Sequence, residues 1–315
     1  MVSPESLRAF VRRHLPGRQV TGIEPTRTGK FNDSFFVSTD DGELVVRVAP
    51  PEDAVFVFYE RRMMRQEPGL HRLLREKTNV PVAEILAFDE KAEELGRSAL
   101  IMERLPGVPL SEASGLHAGY VFRQVGEMLA ATHALTADAY GYLGEHHPMD
   151  PAANWVEAFA DMWDRLVADV TATGHYSPAT RSFLHALLAA HLDLFDRPVA
   201  ASLLHMDVWH QNILVAPDGT VTGLIDWDRA LWGDPEIEFA VLDYCGVSVP
   251  EFWQGYGKPR DLSPDAQVRR VFYLLYELQK YIVIRHGRNH DPAGAERYRA
   301  QVADIVQEAF GVSLP

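Results

Sequence analysis

Cysteine occurs once in 315 residues, at Cys245, so no intrachain disulfide can form and the chain suits a reducing compartment. Long apolar runs are missing too: nothing approaches the roughly 20 consecutive residues needed to span a bilayer. The opening Met1-Val2-Ser3-Pro4-Glu5-Ser6 lacks the charged and then apolar pattern of a secretion signal. The expectation is a soluble, cytoplasmic protein with no membrane partner. Basic residues are in deficit, 30 Lys and Arg against 44 Asp and Glu, for a net charge of −14. A nucleic-acid partner needs a basic face and is not expected. A cationic small molecule is compatible, because acidic clefts concentrate cations. There is no G-x-x-x-x-G-K-[ST] phosphate loop, no internal repeat and no low-complexity tract.

What remains is an ordinary globular composition, 47% hydrophobic and 23% charged, in a chain long enough for two lobes. Its most informative stretch runs from Leu204 to Val215, followed by Gly223-Leu224-Ile225-Asp226-Trp227-Asp228. Between Asn212 and Asp226 lie an apolar run, a Pro217-Asp218-Gly219 turn and a second apolar run. That pattern predicts a hairpin whose entry, Asn212, meets its exit, Asp226. Asp207 stands five residues before Asn212, on the loop leading in. Three oxygen-bearing side chains converging in this way suit a hard cation such as Mg2+ when a phosphate supplies the other ligands.

The ordered set His205-Met206-Asp207, Asn212, Ile225-Asp226-Trp227 and Gly233-Asp234-Pro235 resembles the catalytic and metal-binding loops of the aminoglycoside phosphotransferase family, small-molecule kinases related to protein kinases. The resemblance implies an α+β, bilobal, protein-kinase-like fold, with a small β-rich N-terminal lobe and a larger, mainly helical C-terminal lobe. It implies Mg2+-dependent transfer of the γ-phosphate of ATP or GTP to a hydroxyl of a small molecule, with an aminoglycoside-type or related cationic acceptor leading and antibiotic resistance as a possible role. Asp207 would orient the acceptor hydroxyl and take its proton late; Asn212 and Asp226 would hold the metal; His205 would be scaffold. Monomer and homodimer both remain open.

The rest of the chain is read to match. Ser3-Pro4 opens a helix carrying Leu7, Phe10, Val11 and Leu15. Strands are expected from Asp33 to Ser38 and from Leu44 to Ala49, joined by Thr39-Asp40-Asp41-Gly42, then at Ile85 to Phe88 and Ser98 to Met102. Val55 to Glu76 reads as helix, kinked near Pro68-Gly69. Leu105 to Pro109 is the expected linker, dividing residues 1–104 from 105–315. Helices follow at Tyr120 to Leu135, Asn154 to Val170, Ser182 to Leu194, Pro235 to Tyr244, Pro264 to Arg285 and Pro292 to Phe310.

By the same resemblance, Gly29 and Ser34 belong to a loop over the nucleotide phosphates. Arg47 replaces the usual Lys on the third strand, with Glu67 as its partner and Glu60 as the alternative. Met102, Glu103 and Leu105 form the hinge that meets the purine. Met206 replaces a usual Gly, and is expected to sit in a loop needing no positive φ there. Trp209 and Trp227 form either an aromatic wall beside the acceptor or internal packing. Asp234 is expected to cap the next helix. Asp161, Asp164, Asp243 and Glu277 are candidate carboxylates for the acceptor. Two other readings stand beside this one: a metallohydrolase using His205, Asp207 and His210, and a non-catalytic nucleotide-binding protein of kinase fold, suggested by Arg47.

Overall fold

A computed structural model describes residues 2–26 and 31–315; Gly29 and Lys30 lie outside them. The N-terminal part is an antiparallel sheet of β1 (Val20–Pro25), β2 (Asp33–Thr39), β3 (Gly42–Val48), β4 (Ile85–Ala92) and β5 (Arg97–Glu103), in the order β1-β2-β3-β5-β4. Strands β2 and β3 form the expected hairpin, with Ser34 opposite Arg47 and Val37 opposite Leu44. Alternation then decides what faces where. Leu44, Val46 and Val48 pack outward with Leu7, Phe10 and Val11 of α1 (Pro4–His14). Arg47 is left pointing the other way, into the cleft. Strand β1 escapes the sequence pattern because it is half-exposed and of mixed polarity.

The segment from Val55 to Glu76 departs from expectation. Its first half is not helical; a 3-10 turn, Met63–Gln66, leads into α2 (Glu67–Lys77). Val57 donates its N–H to Glu60, and Tyr59 stacks on Tyr142 at 4.6 Å, which holds this half in turns. Pro68 is not a kink: it lies in the first turn of α2, where a missing N–H is no loss, and Glu67 keeps helical φ −58 and ψ −44.

After β5 the chain crosses through β6 (Val108–Pro109), which pairs with the later strand β9 at Val215 and Leu214. Gly107 makes this possible. It has φ +103, and a Cβ there would come within 2.7 Å of the Val215 carbonyl oxygen. Helices then dominate: α3 (Ala118–His133), the short β7 (Thr136–Ala137), α4 (Trp155–Ala172) and α5 (Pro178–Ala189). Helix α5 begins earlier than expected because Ser177 caps it ahead of Pro178. Strands β8 (Ala201–Leu204), β9 (Ile213–Val215), β10 (Val221–Leu224) and β11 (Leu231–Gly233) carry the loops of interest. Helices α6 (Pro235–Tyr244), α7 (Pro250–Tyr256), α8 (Pro264–Val283) and α9 (Pro292–Phe310) close the chain, and a π-helical turn, Ile284–Arg288, extends α8. Helix α7, seven residues long, was not anticipated. Among the described residues, no helix is long and apolar enough to cross a membrane.

Candidate active site

Two loops meet at the mouth of the β9–β10 hairpin, where Ile225 N–H donates to the Asn212 carbonyl at 3.0 Å. In the first loop, the Asn212 amide nitrogen donates to both the carboxylate and the carbonyl of Asp207, each at 2.9 Å. The amide therefore turns its oxygen end away from Asp207. His205 Nδ1 accepts the Asp207 N–H at 3.2 Å, so its Nε2 carries the proton and donates to the Ile225 carbonyl at 3.0 Å. One buried imidazole thus ties the loop to the strand leading to Asp226. With both ring nitrogens engaged this way, His205 is scaffold, and the His205, Asp207 and His210 metal site is not formed. His210 packs edge-on to Phe122, and among the described residues no group of three or more His, Cys, Asp and Glu could hold a metal.

Met206 contradicts the sequence expectation: it has φ +67 and is fully buried. The backbone is held in this left-handed state from both sides. Glu238 accepts the Met206 N–H at 2.6 Å and the His205 N–H at 3.3 Å. Arg229 donates to the Met206 carbonyl at 2.6 Å and pairs with Glu277 at 2.7 Å, whose other oxygen meets Lys280 at 2.6 Å. These fixed bonds offset the steric cost that a glycine would have avoided.

In the second loop, Asp226 also has a left-handed backbone, φ 71 and ψ 59. Arg47 reaches across from β3. Its guanidinium meets Glu67 at 2.5 Å, Asp226 at 2.6 Å and Asp228 at 2.9 Å. Glu67 is thus its partner, whereas Glu60 pairs with Arg288 at 2.5 Å. Asn32 donates to Asp228 at 3.1 Å, and Gln66 donates to the Asp228 carbonyl at 2.5 Å.

The charges here do not balance. Among the described residues, one guanidinium faces three carboxylates. Burial, reinforced by the neighbouring carboxylate of Asp226, pushes the Asp228 carboxyl well up, and burial raises Glu67 to about 7 although Arg47 opposes it. Arg47 itself is more firmly protonated than a free arginine: burial works against its charge, and Glu67, Asp226 and Asp228 outweigh it. The raised Glu67 and Asp228 carboxyls ease this crowding by holding protons, and Asp226, with 37% of its side chain exposed, is the member open to solvent. A divalent cation fits this donor set, with Asp226 and the Asn212 oxygen as its available hard ligands. Asp207 is raised as well, first by burial and then by Asp226, against the pull of Lys280 and Arg229.

The remaining candidates take various places. Ser34 lies directly across from Arg47 on the same sheet face. Met102 pairs with Val45 in β5 and is half-buried at the cleft face. The Glu103 side chain turns outward, accepting from Glu84 N–H at 2.9 Å and Arg75 at 3.2 Å, which leaves the main chain for any ligand. Leu105 follows in the linker against Gly223. Trp227 is fully buried, donates its indole N–H to the Leu224 carbonyl at 2.8 Å and lies 4.3 Å from the His205 ring. It is internal packing, not an acceptor wall. Asp234 caps α6 by accepting the Glu236 N–H at 3.0 Å.

Sequence reasoning missed Asp228, Arg229, Gln66, Asn32 and the clamping role of Glu238. Asp228 and Arg229 carried a signal, standing two and three residues past Asp226 in a loop too short to send them far. Glu238 stands where the resembling family usually has Asp after Gly-Asp-Pro, but its clamping role was not legible, since its partners lie 32 and 33 residues away.

A profile of the phosphotransferase enzyme family matches residues 22–303. A Lactiplantibacillus plantarum protein named "Probable ketoamine kinase" is 27% identical over 282 residues, spanning 89% of this chain and 94% of its own. Among solved structures, a "putative fructosamine-3-kinase" from Thermobifida fusca YX-ER1 superposes with a TM-score of 0.71 at 22% identity, over 98% of this chain and 100% of that one. A thermostable mutant of the aminoglycoside phosphotransferase APH(4)-Ia, in a ternary complex with ADP and hygromycin B, gives 0.71 at 20% identity, over 98% and 100%. The fold is therefore the bilobal, protein-kinase-like one.

Proposed function

The chain belongs to the phosphotransferase enzyme family and is a kinase of small-molecule hydroxyl groups, and we propose that it moves the terminal phosphoryl group of ATP to a hydroxyl of a ketoamine, the adduct of a sugar with an amine. The observation that carries the chemistry is the meeting of Asp207, Asn212 and Asp226 at one hairpin mouth with Arg47 opposite. Phosphoryl transfer needs positioning and charge neutralisation more than covalent help. Asp207 accepts the acceptor's hydroxyl hydrogen bond, aims its oxygen and takes the proton as the new P–O bond forms. The Asn212 oxygen and Asp226 would hold Mg2+, which would supply neutralisation of the phosphate charge. Arg47, anchored by Glu67, faces the phosphates together with Ser34. The main chain at Glu103 and Leu105, beside Met102, reads the purine edge.

The acceptor follows the relatives named as ketoamine kinases rather than the aminoglycoside expected from the sequence, and a role in antibiotic resistance is not carried forward. The Arg47-based reading of a non-catalytic protein gives way as well, because Arg47 makes the ion pair with Glu67 that the substituted lysine was expected to make. The test is ADP release from Mg-ATP with a panel of ketoamines, free sugars and aminoglycosides, with the phosphorylated product identified by mass spectrometry. Turnover with a ketoamine that is abolished in Asp207→Asn is expected. Aminoglycoside turnover without ketoamine turnover overturns the acceptor, and full activity in Asp207→Asn overturns the role of Asp207.

A further inference from the structure

Behind Glu238, which holds the catalytic loop, stand two buried side chains that the transfer chemistry leaves unused. His133, in the last turn of α3, brings its Nε2 to 2.7 Å from Glu238 and its Nδ1 to 2.9 Å from the hydroxyl of Tyr256 on α7. A carboxylate only accepts, so Nε2 is the donor in the first bond. His133 is 6% exposed and Glu238 not at all. Aromatic rings close the place off: Tyr256 meets the imidazole edge-on at 5.5 Å, and Phe239 lies 5.9 Å away. Helix α7 reaches this position because it touches α3 through glycine. A Cβ on Gly126 or on Gly255 would run into the backbone of the other helix.

Both oxygens of Glu238 are in use. Oε1 accepts the Met206 N–H, and Oε2 accepts from His133 and from the His205 N–H. A protonated carboxyl would have to turn one oxygen into a donor, and one of the two loop N–H groups would lose its acceptor. Burial works toward that state by pushing the Glu238 carboxyl up. The bond and field of His133 lead the influences against it, followed by His205 and the Met206 N–H, and together they hold the carboxyl below its ordinary value. The loop depends on this acceptor because Met206 stands at φ +67, a state that a bulky residue leaves once its restraints go. Asp207 is the next residue, so a turn of the peptide at 206 swings its carboxylate off line.

We infer that His133, aimed by Tyr256, is a positioning residue for phosphoryl transfer: it keeps both oxygens of Glu238 turned onto the His205 and Met206 N–H groups and thereby sets the direction of Asp207. This rests on the kinase reading above. It also gives α7, which places no residue in the transfer site, a part in the reaction through α3 and α6.

The experiment compares the full-length wild type with His133→Leu, His133→Gln and Tyr256→Phe in two readouts. The first is steady-state kinetics with Mg-ATP and a fructosyl amine. Leucine fills the site without a donor and is expected to lower kcat by about 10- to 100-fold, while both KM values move less than about twofold. Glutamine puts an amide N–H near the position of Nε2 and is expected to recover most of that loss. Tyr256→Phe keeps the ring without the hydroxyl and should lower kcat by about threefold. The second readout, hydrogen–deuterium exchange of the Met206 amide, needs no acceptor. Exchange should speed up by about tenfold in His133→Leu and return toward the wild-type rate in His133→Gln. A cluster that merely packs α3, α6 and α7 together would lower the Tm and leave kcat per active enzyme untouched, and that result sinks the proposal. An unchanged Met206 exchange rate, or a glutamine variant no better than leucine, sinks it too. If His133→Leu does not fold, His133→Asn replaces it: its amide stops short of Glu238, the same losses are expected, and their absence overturns the role of His133. If the fructosyl amine is not phosphorylated, the ketoamine reading fails by itself; the exchange test stands, and kcat is compared on whichever free sugar or aminoglycoside is turned over.

Discussion

Arg229 donates to the main-chain carbonyl of Met206 at 2.6 Å and in the same fork holds Glu277 at 2.7 Å. It follows Asp226 by three residues, so one side chain fixes the catalytic loop relative to the metal-side loop and to α8. Arg229→Lys keeps the charge and loses the fork. The expected result is a kcat lower by one to two orders of magnitude, roughly what a 1 Å misplacement of a reacting group causes, with the nucleotide KM nearly unchanged. Arg229→Met also leaves Glu277 short of a cation and is expected to cost about 3–5 kcal/mol in urea denaturation. A wild-type kcat in the lysine variant would remove Arg229 from any part in aiming Asp207.

Among the described residues, Arg47 is the arginine or lysine bonded to Glu67, Asp226 and Asp228. In Arg47→Met three neighbouring carboxylates lose it, and stability should fall by about 3–5 kcal/mol. Mg2+ alone should then raise the Tm of the variant more than that of the wild type, because the ion binds the folded acidic cluster and not the unfolded chain. Differential scanning fluorimetry with and without Mg2+ reads this directly. An equal Mg2+ response in the two proteins argues against a cation site at Asp226.

Burial raises the Asp207 carboxyl from its ordinary value, and Lys280 and Arg229 pull it back. Transfer needs the ionised form, so kcat is expected to be lost as pH falls through that raised value and to recover above it. Lys280→Met removes a charge that favours ionisation, so its acid limb should lie at higher pH than that of the wild type. A pH–rate profile in which the limb stays put or moves down contradicts the assignment.

Met206→Gly sets two effects against each other. Glycine relieves the left-handed backbone, a gain of about 1–2 kcal/mol, but it empties a fully buried site, a loss of about 2–5 kcal/mol, and loses more chain entropy on folding. Net destabilisation of about 2 kcal/mol is expected from chemical denaturation. A more stable variant would mean that the strain at φ +67 outweighs the packing.

Asp169 on α4 accepts the Phe58 N–H at 2.7 Å, and burial raises its carboxyl to about 6. A carboxyl higher in the folded than in the unfolded state binds more protons when folded, so its contribution to stability declines as pH rises from about 4 to about 6. Asp169→Asn keeps the acceptor oxygen and removes the charge. At pH 7 the variant should be more stable by about 1 kcal/mol, allowing for solvent screening of this partly exposed group, and the difference should vanish near pH 4. Parallel urea curves at the two pH values check it.

How legible all this was depended on how local each signal is. The β2–β3 hairpin, the cap of α1 and the bounds of α6 and α9 follow from turn residues, Pro and alternation within a few positions, and all were readable. The non-helical stretch before α2 was not, because contacts from Glu60 and Tyr142 override an apolar periodicity that reads as helix. In the site, a hairpin turn predicts its own mouth, so Asn212 could be placed near Asp226. Arg47 could be assigned a sheet face, but its sharing among three carboxylates depends on one loop more than 150 residues downstream, which carries Asp226 and Asp228. The left-handed Met206 ran against its residue type, and only its clamps Glu238 and Arg229, 32 and 23 residues away, explain it.

Asp207, Asn212, Asp226 and Arg229 all fall between β8 and β11, one short cassette. The groups that hold its backbone in place stand outside it, Glu238 on α6 and Glu277 on α8. An engineer who moves the cassette to another scaffold must therefore carry those two positions with it.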